Sequence, residues 1–119
     1  MFGFGRKGNN DIETKEALEL IVENESNPEF IILDVRTAEE FEFERIGDAK
    51  NIDFNSKDFK IQLENLDKDK KYLVYCHSGR RSSNAVKEMD KSGFKHVQNL
   101  SGGIMEWIKK CLPLNDVQK

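Results

Sequence analysis

The stretch that decides the fold is residues 72–82, which read YLVYCHSGRRS. Its first four residues, Tyr72 to Tyr75, are the most β-prone of the chain and predict a strand. The polar, glycine-containing segment Cys76 to Ser82 follows at once and predicts a loop. Apolar residues then recur at helical spacing: Ala85, Val86 and Met89. A strand, a loop and a helix in this order form one half of a βαβ unit, the building block of a parallel sheet.

The same alternation extends in both directions along the chain. Phe30 to Leu33 is a continuous apolar run, typical of a strand buried on both faces of a parallel sheet. Further strands are predicted at residues 49–54 and 96–100, and helices at residues 14–24 and 56–65, with a short helix after Thr37 and a final one that carries Ile104, Trp107 and Ile108. We therefore expect an α/β domain with a mainly parallel central sheet, helices on both faces, and ligands at the carboxyl ends of the strands.

Capping patterns mark several helix ends. Thr14 is placed to cap the first helix. Thr37 and Glu40 form a capping-box pattern, in which the hydroxyl and the carboxylate each accept from the other residue's backbone N–H. Pro113 is expected to stop the last helix.

Composition limits the classes of function. The 119 residues fit one domain of the usual size, about 100–150 residues, and we assign residues 1–10 to a flexible glycine-rich tail and residues 11–119 to the domain. The net charge of −3 is unfavourable for nucleic-acid binding. No membrane span or signal peptide is evident, and two cysteines are too few for a disulfide framework. We expect a cytoplasmic protein with no nucleic-acid or membrane partner.

Neither a dinucleotide-binding site nor a zinc site is predicted from the sequence. Gly3, Gly5 and Gly8 have the spacing of a dinucleotide fingerprint, but no strand precedes them to form the required turn. The thiolate and imidazole candidates for zinc include no Cys-x-x-Cys or His-x-x-x-His pair. We therefore expect no cofactor and no metal.

Cys76 is the strongest candidate for chemistry. It follows a predicted strand and opens a loop that leads into a helix, with Arg80 and Arg81 close behind. Loop N–H groups, the helix N-terminus and two guanidinium groups together predict a local positive pocket, which favours the thiolate and attracts a small anion. The alternative is a cysteine packed as a small apolar residue, with both arginines merely solvated.

Residues 76–82 resemble the active-site loop of the rhodanese (sulfurtransferase) family. The resemblance extends in the family's order and spacing over nearly all of residues 12–110. It includes Leu33-Asp34-Val35-Arg36, the stretch from Glu40-Phe41 to Asn51-Ile52, and Gly93-Phe94 through Gly102-Gly103-Ile104 to Trp107. The chain is similar to the single-domain form of this family.

The resemblance implies a mechanism and a set of site residues. Cys76 would accept a sulfane sulfur from a small anionic donor, thiosulfate or a persulfide, and pass it to cyanide or to a thiol or protein-thiol acceptor. The backbone amides of the loop would cradle the persulfide and the donor anion. Arg81 would close the loop, and Arg80 or His77 would tune the response to substrate charge. The members of this loop are His77, Ser78, Gly79, Arg80, Arg81 and Ser82. Asp34 and Arg36 would support the loop structurally, the turn Ser101 to Gly103 would fit beside it, and Trp107 would belong to the core.

The chain departs from the family pattern at one place. Where the family usually has His-Ile-x-Gly-Ala, this sequence has Arg45-Ile46-Gly47-Asp48-Ala49. We expect a changed polar contact and a different turn there, with the nucleophile unaffected. Cys111, next to Leu112 and Pro113, is interpreted as a structural or incidental thiol.

Two other functions are compatible with this fold. A cysteine phosphatase or arsenate reductase-like enzyme of the Cys-x5-Arg type would need arginine at position 82, where this chain has Ser82. Its arginine comes one residue earlier, which predicts a tighter pocket suited to a sulfur atom. A non-catalytic binding module is less favoured, because such relatives typically lose the loop cysteine and Cys76 is present.

Overall fold

The computed structural model describes residues 10–115, which form a five-stranded parallel sheet in the order β1-β5-β4-β2-β3. The strands are β1 (Asp11–Ile12), β2 (Phe30–Asp34), β3 (Lys50–Asn51), β4 (Lys71–Tyr75) and β5 (His96–Leu100). The helices are α1 (Thr14–Glu23), α2 (Ala38–Phe43), α3 (Phe59–Glu64), α4 (Arg80–Lys91) and α5 (Gly103–Lys109). The predicted α/β class with a parallel sheet is confirmed.

Alternation along the central strand divides the core into two layers. Tyr72 and Val74 of β4 pack on one face of the sheet with α3 and α4. Leu73 and Tyr75 pack on the other face with residues of α1 and α5, including Trp107. Because β4 has apolar neighbours on both faces, the sheet is covered by helices on both sides as predicted.

Several boundaries differ from the prediction. β3 covers two residues instead of the predicted 49–54. α3 begins at Phe59 rather than Ser56, because Ser56 is used in a turn in which its hydroxyl donates to Asp58. Glu13, not Thr14, caps α1, and its backbone N–H donates to the Glu16 carboxylate over 3.4 Å.

The amino-terminal edge strand β1 was not predicted. It has only two residues, and it pairs in parallel with Asn99 and Leu100 of β5. Asn10 extends this contact, since its side-chain amide donates to the Val97 carbonyl over 2.8 Å. Residues 1–9, which contain most of the predicted tail and the Gly3, Gly5 and Gly8 motif, lie outside the described residues.

Tyr75 links the central strand to the segment before β3. Its buried hydroxyl accepts a hydrogen bond from the backbone N–H of Ile46 over 3.0 Å. Burial, together with the nearby charge of Asp34, raises the pKa of Tyr75 above its ordinary value, so the phenol stays protonated. The neutral Tyr75 hydroxyl is therefore the acceptor for the Ile46 N–H.

Replacing Tyr75 by phenylalanine should leave that buried N–H without an acceptor, and we expect a loss of about 1–3 kcal/mol in the free energy of unfolding. Urea unfolding followed by circular dichroism measures it. Tyr72→Phe is the matched control, because its hydroxyl donates to the carbonyl of the exposed Asp67, which water can solvate. Equal losses in the two variants would contradict this account of Tyr75.

Within residues 10–115, no helix has the length and apolar character needed to cross a membrane. The same part of the chain contains no group of three or more His, Cys, Asp or Glu side chains arranged to hold a metal ion.

Candidate functional site

Cys76 lies at the carboxyl end of the central strand. It follows β4, which pairs with β5 on one side and β2 on the other. From β2 the chain continues outward to β3, and from β4 it continues to β5, so the two connections leave the sheet in opposite directions. The site is therefore at the switch point of the sheet, where ligands of open α/β folds bind.

Three hydrogen-bond donors converge on the Cys76 sulfur. The N–H of Gly79 donates to Sγ over 3.1 Å, and the N–H and hydroxyl of Ser82 each donate over 3.3 Å. The residue is only 1% exposed. Donors arranged in this way favour negative charge on the sulfur.

The loop is shorter than the sequence suggests. Gly79 has a left-handed φ of 103° and caps α4, and the Ser83 N–H donates to its carbonyl over 3.0 Å. Arg80, Arg81 and Ser82 consequently form the first turn of the helix, not a loop. Four N–H groups of this segment have no acceptor among the described residues: those of His77, Ser78, Arg80 and Arg81. They are available to an anion above the sulfur.

The first turn of α5 and the turn that precedes it pack against the backbone of the loop. The N–H of Ile104 donates to the Cys76 carbonyl over 2.9 Å, and the N–H of Met105 donates to the His77 carbonyl over 3.0 Å. Gly103 has a φ of +65°, and a Cβ on it would lie 2.3 Å from the His77 oxygen. A Cβ on Gly79 would lie 2.1 Å from the Ser101 oxygen. The backbone of the loop and the backbone around the start of α5 are therefore in direct contact, and glycine at positions 79 and 103 leaves room for that contact.

The residues of the loop differ in solvent exposure. His77, Ser78 and Arg80 are exposed, whereas Gly79 and Ser82 are buried. The exposed groups lie at the rim, and the buried ones line the sulfur.

Arg81 forms an ion pair with Glu40 of α2, the helix that follows the neighbouring strand β2. Its Nη1 and Nη2 lie 3.1 and 3.4 Å from the two carboxylate oxygens of Glu40. Glu40 also accepts from the N–H and the hydroxyl of Thr37, over 2.9 and 3.1 Å, so the predicted capping box is confirmed. Partial burial acts to raise the pKa of Glu40, but the hydrogen bonds from Arg81 and Thr37 outweigh it and bring the pKa down to about 2.

This pair makes the pocket less positive than the sequence suggests. The hydrogen bond to Glu40 raises the pKa of Arg81, with a smaller contribution from the charge of Cys76, so the guanidinium stays charged and paired. From the sequence, Glu40 is predicted to cap a helix and belongs to a stretch that resembles the family, but no contact between Glu40 and Arg81 is predicted. Its contact with Arg81 follows once β2 and β4 are known to be neighbours, because the helices that follow them then begin side by side.

Asp34 and Arg36 form a buried pair beside the site. Arg36 Nη2 lies 2.8 Å from Asp34 Oδ2 and also donates to the Glu44 carbonyl over 2.6 Å. Burial acts to lower the pKa of Arg36, but the hydrogen bonds that Arg36 donates to Asp34 and the negative charge of Asp34 together outweigh it and leave the pKa raised. Asn51 donates to the carbonyls of both residues over 3.0 Å. The pair thus joins β2 to α2 and β3, and its link to the site runs through Tyr75, whose ring lies under the Arg36 guanidinium at 5.6 Å.

The departure at Arg45 is accommodated locally. The Arg45 guanidinium lies 4.0 Å from the centre of the Phe41 ring, and its backbone forms an antiparallel bridge with Asn115. Gly47 has a φ of +55°, and Asp48 is exposed. Cys111, the second free thiol, is exposed after the end of α5.

Comparison with known proteins gives a consistent result. The family model described as "Rhodanese-like domain" matches residues 13–110. The putative sulfurtransferase YtwF of Bacillus subtilis is 41% identical over 91 residues, which are 76% of this chain and 85% of the relative. The thiosulfate sulfurtransferase GlpE of Coxiella burnetii is 34% identical over 106 residues, which are 87% of this chain and 91% of the relative.

A solved structure has the same arrangement of elements. The rhodanese-related protein from Thermoplasma volcanium superposes with a TM-score of 0.74 at 29% identity, covering 89% of this chain and 97% of that one.

Proposed function

The chain belongs to the rhodanese-like domain family, and on that premise we propose that it is a sulfurtransferase that carries a sulfane sulfur as a persulfide on Cys76. The donor is thiosulfate or a persulfide, and the acceptor is cyanide or a thiol. The observation that carries the proposal is the convergence of three hydrogen-bond donors on the Cys76 sulfur: the N–H of Gly79 and the N–H and hydroxyl of Ser82. Relatives named as sulfurtransferases support the same class of reaction.

In the first half-reaction the Cys76 thiolate attacks the outer sulfur of the donor. A new S–S bond forms to Cys76, the donor's own bond to that sulfur breaks, and the bonding electron pair leaves with sulfite when the donor is thiosulfate. With a persulfide donor it leaves with the donor's thiolate. The unpaired N–H groups of His77, Ser78, Arg80 and Arg81 are placed to bind the transferred sulfur, whose negative charge they stabilise.

In the second half-reaction the acceptor attacks that outer sulfur. Cyanide gives thiocyanate, and a thiolate gives a new persulfide; in both cases the electron pair of the broken S–S bond returns to Cys76 as a thiolate. The N–H groups of Gly79 and Ser82 donate to Sγ and stabilise this leaving thiolate. The same hydrogen bonds therefore stabilise the Cys76 thiolate in both half-reactions.

The phosphatase alternative is disfavoured by the loop. Position 82, where an arginine would be needed, holds a serine whose hydroxyl points to Sγ. The arginine that precedes it is paired with Glu40 and is not free to surround a phosphoryl group. The binding-module alternative would leave the convergence of donors on Cys76 without a use.

The proposal is tested by two assays run in parallel on the same preparation. We expect thiocyanate to form from thiosulfate and cyanide, and p-nitrophenyl phosphate to remain unhydrolysed. Phosphate release without thiocyanate formation would favour the phosphatase instead. Neither product, with methanethiosulfonate also tried as the sulfur donor and the fold intact by circular dichroism, would favour the binding module.

A further inference from the structure

The contact between Glu40 and Arg81 crosses the crevice at the switch point of the sheet. Glu40 lies in the first turn of α2, whose Phe41 packs on one face of the sheet, and Arg81 lies in the first turn of α4, which packs on the other. Each residue therefore follows one of the two strands between which a ligand would bind. The pair is bidentate, the geometry in which a guanidinium is held most firmly.

Glu40 is itself held in place. The Thr37 N–H and hydroxyl both donate to Oε1, the oxygen that also receives Arg81 Nη1. Arg81 in turn precedes Ser82, whose N–H and hydroxyl donate to the sulfur. A carboxylate held by three hydrogen bonds thus pairs with a guanidinium that lies within the electrostatic reach of Cys76.

Charge near the sulfur is consequently close to balanced. Arg81 is offset by Glu40, and the charge of Asp53 also acts on Arg81. Arg80 is exposed, where water weakens its field. The anion-binding capacity that remains comes from backbone N–H groups, which suit one negative charge on a sulfur atom better than two charges on a larger anion.

We propose that Glu40 is a specificity-determining residue that disfavours doubly charged donors, so that the site takes its sulfur from singly charged persulfides and thiosulfonates in preference to thiosulfate. This inference rests on the proposed sulfur transfer. In chemical terms Glu40 competes with the donor's second negative charge for the Arg81 guanidinium. Discrimination of this kind uses a repulsive group as well as attractive ones.

Two donors of nearly the same shape isolate the effect of charge. Thiosulfate carries two negative charges, whereas the methanethiosulfonate anion has a methyl group in place of one oxygen and carries one. Both present an outer sulfur to Cys76, and they release sulfite and methanesulfinate respectively. The ratio of their kcat/KM values therefore reports how the site responds to the second charge.

Glu40→Gln should raise this ratio of thiosulfate to methanethiosulfonate about fivefold, the upper range for a partly exposed ion pair. Glutamine retains an acceptor for the capping box, so α2 is expected to form. The matched control is Glu39→Gln, which removes the same charge from an exposed neighbour that has no ion-pair partner within the described residues. An unchanged ratio in Glu40→Gln, or an equal rise in Glu39→Gln, would overturn the proposal.

A second variant and a second readout keep the test independent of folding and of turnover. Arg81→Gln leaves the Glu40 carboxylate unpaired, so the ratio should fall; a rise or no change contradicts the proposal. Protection of Cys76 from iodoacetamide should also shift, with sulfate protecting Glu40→Gln more strongly than wild type and methanesulfonate protecting both alike. If neither donor delivers sulfur to wild type, the proposed sulfur transfer fails, while the protection experiment still decides the role of Glu40.

Discussion

Replacing Cys76 by serine abolishes thiocyanate formation, with an expected loss on the order of a thousandfold or more in kcat/KM, because a hydroxyl forms no persulfide and is a far weaker nucleophile at neutral pH. The three groups that donate to Sγ can donate to a serine oxygen as well. The fold should therefore survive, and the loss is measured by steady-state assay with circular dichroism alongside.

Cys111→Ser is the control for this result. Cys111 is exposed and follows the end of α5, away from the hydrogen bonds that surround Cys76. It should retain wild-type rates with every donor. Comparable loss of activity in the two serine variants would show that Cys76 is not the sole carrier and would require a disulfide or relay between the cysteines.

Gly103→Ala has the second large effect, because it acts on the backbone that shapes the loop. A Cβ at this position would lie 2.3 Å from the His77 carbonyl oxygen and 2.7 Å from the Ser78 nitrogen. Backbone atoms cannot yield as a flexible side chain does, so either the loop or the start of α5 must move. We expect a loss of about 3 kcal/mol or more in unfolding free energy together with loss of sulfur transfer.

Gly93→Ala separates backbone conformation from contact. Gly93 also has a positive φ, +93°, but a Cβ there has nothing within 4 Å. It should lose about 1–2 kcal/mol by conformational strain alone and keep full activity. Urea unfolding and the thiocyanate assay compare the two variants, and equal behaviour would contradict the claim that Gly103 supports the loop through close approach.

Much of the fold is predictable from short-range patterns. Two short apolar runs are bounded by polar residues, and both lie in strands: Phe30 to Leu33 in β2 and Tyr72 to Tyr75 in β4. The Thr37 and Glu40 capping box requires only residues three apart, and it forms as expected. Such elements are specified locally, so one sequence contains the information to find them.

Other features depend on contacts between distant segments. β1 contains only two residues, too few to show the periodicity of a strand. It forms because its backbone pairs with the free edge of β5. The link between Glu40 and Arg81 spans 41 positions and depends on β2 lying next to β4. Strand order is not readable from periodicity, so the prediction of a positive pocket counted Arg80 and Arg81 without the carboxylate of Glu40 and was too positive.

Glu40 illustrates how one side chain serves two levels of structure. As the third residue of α2 its carboxylate accepts the Thr37 N–H of the capping box, and as the partner of Arg81 it offsets the positive charge of that guanidinium. The hydrogen bonds from Thr37 oppose a movement of the carboxylate away from Arg81. On the proposed role of Glu40, a local helix cap would thus influence the choice of sulfur donor.

The intact mass of the protein after incubation with a sulfane donor, thiosulfate or methanethiosulfonate, tests the central claim most directly. Wild type should gain the mass of one sulfur atom, lose it again on addition of cyanide, and show the modification on Cys76 after proteolysis. Cys76→Ser should gain nothing under the same conditions. A wild-type protein that gains no sulfur from either donor, or a Cys76→Ser variant that gains one, would contradict the account.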